Sequence, residues 1–137
     1  MTTESPARGA RFPDLAFFEA VREATNADTR FRRATQWFDG SVLLRMGEDR
    51  LWMKWYRGQI IDMHQGPSPL GYTFSLEAPT AVWEEMWTLP QDSYRPWAQL
   101  IHYGKIATGG SLIEANRVTE AVYSLISHIH DLGKDDR

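Results

Sequence analysis

Asp62 and His64 stand two residues apart in the run QIIDMHQG, and Glu77 closes the run GYTFSLEA that follows. On an extended strand that spacing sends Asp62 and His64 to one face, and Glu77 supplies a further carboxylate from the next strand. Such a trio suits a general base or a metal site, because an imidazole titrates near neutrality and a carboxylate orients it. The same alternation sets the trio opposite Ile61 and Met63, so an exposed polar patch on the outer face of a sheet is the preferred reading. His102, beside Tyr103, falls at the end of a helical stretch, where the helix dipole favours a histidine without any function. It also belongs to a segment expected to lie against the apolar side of the sheet. His128 and His130 have metal-binding chemistry, but residues two apart on a helix diverge and cannot share one ion. Ser111 and Glu114 have the form of a capping box, which gives Glu114 a structural task, and Arg117 with Glu120 forms a surface pair. Arg30, Arg32 and Arg33 crowd the polar stretch Asn26 to Arg33, read as a solvated connector. A site for a phosphate or CoA-like anion is the rival reading. The sequence has no dinucleotide or Walker phosphate loop, no Gly-x-Ser-x-Gly elbow and no His-Glu-x-x-His pair.

The elements that would position these groups begin with four alternating runs, WFDGSVLLRM, RLWMKWYRG, QIIDMHQG and GYTFSLEA. They predict a four-strand meander with turns at Gly47-Glu48-Asp49, Arg57-Gly58 and Gly66-Pro67-Ser68-Pro69. Period-2 spacing puts Val42, Leu44, Met46, Leu51, Met53, Trp55, Ile61, Met63, Tyr72, Phe74 and Leu76 on one face. Trp52 and Tyr56 fall on the other, where large rings left open would mark a contact surface for a second copy. Before the strands, residues 1–11 read as a flexible tail and Pro13 to Ala24 as a helix. After them, helices are expected from Ala78 to Trp87 and from Ser93 to Tyr103. A fifth strand follows from Gly104 to Gly109, then a turn at Gly109-Gly110 and a long helix from Ser111 to Leu132.

Size and composition bound the function. The chain has 137 residues, no cysteine, six tryptophans and a net charge of -3. That length makes one domain, residues 12–137, burying about two thirds of its unfolded surface. The negative charge argues against a nucleic-acid partner, which needs a basic surface. Without cysteine there is neither a disulfide framework nor thiol chemistry. No run of residues has membrane-spanning length or the apolar stretch of a signal peptide, so a cytoplasmic protein is expected. Rings from both strands and helices, Trp55, Phe74, Trp83, Trp87, Trp97 and Tyr123, either fill a bulky core or wall a leftover apolar cavity.

Two stretches carry a resemblance. Gly71-Tyr72-Thr73-Phe74-Ser75-Leu76-Glu77-Ala78 resembles the strand that leads into the first covering helix of the sterol carrier protein 2 (SCP2) superfamily. Gly104-Lys105-Ile106-Ala107-Thr108-Gly109-Gly110, with the helix after it, resembles that family's Gly-Lys-strand-Gly-helix ending. The likeness spans roughly residues 30 to 130, and none of its motifs is catalytic. It departs from the pattern in its tryptophan-rich strands and in Gly109-Gly110-Ser111, where the family more often has Gly-Asp or Gly-Asn. The resemblance implies an α+β fold: a five-stranded, largely antiparallel sheet with helices packed on one face. It also implies a non-enzymatic binding or carrier domain for a sterol, fatty acid or fatty acyl-CoA, without a cofactor. The residues expected to line the cavity are Met53, Trp55, Phe74, Leu76, Trp83, Trp87, Trp97, His102, Val118, Val122 and Ile126. Two readings compete with it. One is a small cofactor-free isomerase or cyclase using His102, or Asp62 and His64. The other is an interaction module or homodimer docking through Trp52 and Tyr56.

Overall fold

The computed structural model describes residues 11–68, 70–85 and 106–134. Residues 1–10 of the expected tail, the helix expected over 93–103, and Trp87, Trp97 and His102 lie outside the described residues.

Three strands follow one another as the alternation predicts: β1 (Asp39–Met46), β2 (Asp49–Tyr56) and β3 (Gln59–Gln65), paired antiparallel. Both hairpins turn on two residues. Gly47, at φ 67, opens the first, and Arg57 and Gly58, at φ 43 and 94, form the second. Two successive positive φ values match the twist of the strands they join.

The fourth strand corrects the expected meander. β4 (Phe74–Ala78) pairs parallel with β1, Val42 opposite Phe74, and β5 (Ala107–Gly110) pairs antiparallel with β4. The sheet order is β3-β2-β1-β4-β5, so β1 is central and the chain crosses the sheet between β3 and β4. The crossing segment runs over the outer face: Ser41 Oγ and Trp52 Nε1 both donate to the Gly71 carbonyl, at 3.0 and 2.9 Å. Trp52 is therefore only 6% exposed, with the His64 ring 5.3 Å away, and is not the open ring expected of a docking face. Tyr56 does remain exposed.

The inner face is apolar where β1, β2 and β4 supply it: Val42, Leu44, Met46, Leu51, Met53, Trp55, Phe74 and Leu76 are all buried. On β3 the expected phase slips. A bulge opposite Lys54 and Trp55 turns Ile60 inward, 1% exposed, and leaves Ile61 45% exposed. The extra residue shifts the phase between Ile60 and Asp62 only, and Met63, opposite Met53, packs against the core as expected. Tyr72, ahead of β4, is also exposed. Asn26 clamps the bulge, accepting from the Ile60 amide at 2.8 Å and donating to its carbonyl at 3.1 Å. Arg22 Nε donates to the same carbonyl at 2.9 Å.

Helices cover this inner face. α1 (Leu15–Ala27) buries Phe17, Phe18, Val21 and Thr25, one stripe at helical spacing. α2 (Thr29–Ala34) occupies the stretch read as a connector, with Asp28 as its N-cap and Phe31 buried. α3 (Thr80–Glu85) inserts Trp83, whose indole donates to the Arg45 carbonyl at 3.0 Å. The long C-terminal helix is two helices, α4 (Leu112–Arg117) and α5 (Thr119–Lys134), broken at Val118. Val118 has φ -116 and ψ 30, and Thr119 Oγ1 turns back to the Asn116 carbonyl at 2.8 Å. A β-branched Val-Thr pair after Asn116 favours such a break, because each of these residues is a weak helix former. Among the described residues, no helix is long and apolar enough to cross a membrane.

Candidate functional site

Helix α5 presents Ala121, Val122, Leu125, Ile126 and Ile129, all buried, to the core formed by α1, α2 and the inner sheet face. In this half the rings interlock edge to face. Phe31 and Trp55 have centroids 5.0 Å apart, and Trp55 and Phe74 6.0 Å. Of the expected lining residues, Met53, Trp55, Phe74, Leu76, Trp83, Val118, Val122 and Ile126 all belong to this one packed cluster. They are brought together, but chiefly against one another.

Open space begins where α4 leaves the sheet. Ser111 caps α4, its hydroxyl accepting from the Glu114 amide at 3.2 Å, but the expected capping box is only half made, because the Ser111 amide donates to the Thr73 carbonyl at 2.9 Å instead of to Glu114. The Glu114 carboxylate then pairs with Arg117 at 3.2 Å, so Arg117 is joined to Glu114 rather than to Glu120. No residue of α4 is buried, and Leu112 and Ile113 are 56% and 74% exposed. On one side of α4 lies a cleft of about 620 Å³ lined by Ala34, Trp37, Phe38, Asp39, Thr73, Glu114, Arg117 and Val118. On the other lies a slot of about 160 Å³ lined by Leu76, Thr108, Leu112, Ala115, Asn116, Thr119, Val122 and Tyr123. The first is within the roughly 300–1,000 Å³ of small-molecule sites and the second below it. Val118 lines the larger space, and Leu76 and Val122 the smaller; the other described members of the expected set line neither. Trp37 and Phe38 were missed as lining residues. The indole of Trp37 is 77% exposed at the mouth, while Phe38 is buried behind it. The signal was the Trp-Phe pair at the start of a strand run, where one ring must face away from the core.

One buried polar atom adjoins this region. Trp55 Nε1 has no hydrogen-bond partner among the described residues, although the ring is fully buried against Phe31, Phe38 and Phe74. An unmet donor in such surroundings costs on the order of 1–3 kcal/mol.

The polar candidates resolve differently. Asp62 and His64 do meet on one face, 3.1 Å apart, but both are about half exposed. Glu77 is not with them. Because β4 lies beyond β1, Glu77 faces Arg45 at 3.5 Å and Ser75 at 2.7 Å, so the trio never assembles. Among the described residues, no group of three His, Cys, Asp or Glu is placed to hold a metal. His128 and His130 diverge as expected, His128 toward Asp28 and His130 beside Asp131.

Asp28 is the strongest polar junction, and sequence reasoning missed it. Its Oδ2 accepts from Ser124 Oγ at 2.7 Å and from His128 Nε2 at 2.9 Å, while Oδ1 accepts from the Arg30 amide at 2.9 Å. Burial pushes its carboxyl up. The hydrogen bonds from Ser124, His128 and Arg30, together with the Arg30 charge, outweigh that and hold it at about 2. The junction ties α2 to α5. Its order, with Asp28 between Ser124 and His128, is not that of a hydrolase triad, where the histidine stands between.

Several solved structures share this architecture. A crystal structure of sterol carrier protein 2 superposes with a TM-score of 0.68 at 16% identity, covering 85% of this chain and 95% of the other. The solution structure of the conserved hypothetical protein TT1886 from Thermus thermophilus gives 0.66 at 16%, covering 90% and 91%. The apo form of sterol carrier protein 2 from Yarrowia lipolytica gives 0.53 at 12%, covering 93% and 99%. No protein-family model and no curated protein matches the sequence. The chain has the SCP2-like fold: an α+β domain whose five-stranded mixed sheet is mostly antiparallel.

Proposed function

We propose that this chain binds an apolar or lipid-like small molecule without transforming it, the ligand entering between the inner sheet face and helices α4 and α5. The observation that carries the reading is the cleft of about 620 Å³ beside α4, with the apolar core behind it and Trp37 exposed at its mouth. The fold shared with sterol carrier protein 2 supports a sterol-like ligand, and the sequence resemblance extends the class to a fatty acid or a fatty acyl-CoA. An acyl chain gains about 0.8 kcal/mol per methylene taken from water. Eight to ten methylenes therefore supply roughly the 8 kcal/mol of a micromolar complex, before the costs of association.

Titration with fatty acids of increasing length tests the proposal. Tryptophan emission should respond saturably, and affinity should rise with chain length to a cutoff. Val118→Phe, which narrows the cleft, should move that cutoff to shorter chains. Absence of a saturable response to fatty acids, their CoA esters and sterols alike would remove the reading.

A further inference from the structure

The hairpin turn between β2 and β3 has an unusual occupant. Two-residue turns of this type favour Asn-Gly or Asp-Gly, because both positions need positive φ. Here the first position is Arg57, at φ 43, a backbone region that costs an ordinary side chain on the order of 1 kcal/mol. The turn is pinned: the Arg57 amide donates to the Phe38 carbonyl at 2.8 Å, and the Arg57 guanidinium lies 5.7 Å from the Tyr56 ring centroid. Gly58 supplies the positive φ of the second turn position, and the turn lies against α2, where a Cβ on Gly58 would be in ordinary contact with the Arg32 carbonyl oxygen at 3.4 Å. That approach brings Arg57 to the rim of an open depression of about 620 Å³ that also includes Arg32 and Arg33, with only neutral residues completing the lining.

The charge balance at this rim is +3, from three arginines and no carboxylate, in a chain whose net charge is -3. All three arginines are exposed, and among the described residues none is ion-paired. The carboxylates nearest in sequence are occupied elsewhere, Asp28 with Ser124 and His128, Asp39 with Lys54, and Asp62 with His64. Three uncompensated like charges repel, and a multiply charged anion relieves the repulsion while accepting charge-assisted hydrogen bonds from guanidinium forks. We propose that Arg32, Arg33 and Arg57 form a binding site for a phosphate-bearing group. Arg57 keeps its unfavourable backbone conformation because it supplies the third charge. The inference is independent of the apolar cleft.

Calorimetric titration of the full chain with inorganic pyrophosphate at low salt tests it, alongside flotation with phosphatidylglycerol or phosphatidylcholine vesicles. Arg57→Asn is the informative variant, because asparagine suits the turn. It should leave thermal stability equal or higher while weakening binding about tenfold, as should Arg33→Gln. Arg50→Gln, at the other end of β2, should leave binding within twofold. Pyrophosphate binding that follows this pattern assigns the site to a free phosphate compound. Binding of phosphatidylglycerol vesicles alone, with the same variant pattern, assigns it to a lipid headgroup. Binding of neither, unchanged affinity in Arg57→Asn and Arg33→Gln, or equal weakening by Arg50→Gln overturns the proposal.

Discussion

The two ends of the inner layer are built from similar residue types and end differently. Beside β1, β2, β3 and the buried start of β4, helices of 13 and 16 residues lay full apolar stripes on the sheet, and the rings of Phe31, Trp55 and Phe74 interlock. Beside β5, the cover is α4, six residues long with none buried, over a four-residue strand with none buried. A short element cannot bring enough side chains to fill the volume it spans, and two open spaces flank α4. Tight packing gives the domain its stability, while the loosely covered end leaves the space in which the proposed ligand would sit.

Substitutions at the two ends should therefore differ in cost. Phe31→Ala, in the interlocked half, should lower unfolding free energy by about 3–5 kcal/mol in urea titration. A loss below about 1 kcal/mol would mean that this half is not the tighter one. Acidification should act on the same half through Asp28. Its carboxyl is held below its ordinary 3.8, at about 2, so its stabilisation is complete above pH 3.8 and lost as pH falls through about 2. The contribution is on the order of 2 kcal/mol, and Asp28→Asn should flatten the acid limb of stability across that window. At the open end, Ile113→Ser should change stability by no more than about 0.5 kcal/mol by the same measurement, as exposed positions do. A loss near 2 kcal/mol would show that α4 is held more firmly than its exposure indicates.

What the sequence made legible follows the same division. Alternation located the strands, and on β1, β2 and β4 it assigned the inner face correctly from Val42 to Leu76, because burial on one side imposes a strict repeat. It failed at Ile60 and Ile61, where the bulge changes the phase and the partner that holds it, Asn26, lies 34 residues away. It failed at Trp52, whose cover is a crossing loop rather than a strand or helix. Strand order was hidden for a related reason. The parallel pairing of β4 with β1 depends on where the chain passes between Gln65 and Phe74, and local pattern does not encode that path. The break at Val118 left a trace in Asn116, Val118 and Thr119, but the apolar stripe continues across it. The cleft left none, since a void is the difference between the volume a backbone encloses and the volume its side chains fill.

The clamp that Asn26 places on Ile60 has a consequence at the level of many molecules. β3 is an edge strand, and an edge of unpaired amides and carbonyls is a template on which another chain can add a strand. At Ile60 both backbone groups are already taken, by Asn26 and Arg22 of a helix lying alongside. To pair at Ile60, a strand arriving from a neighbouring molecule would have to displace three hydrogen bonds. The bulge also turns the edge out of the straight register such a strand needs. The same side chains that set Ile60 into the core thus guard this margin of the sheet against polymerisation.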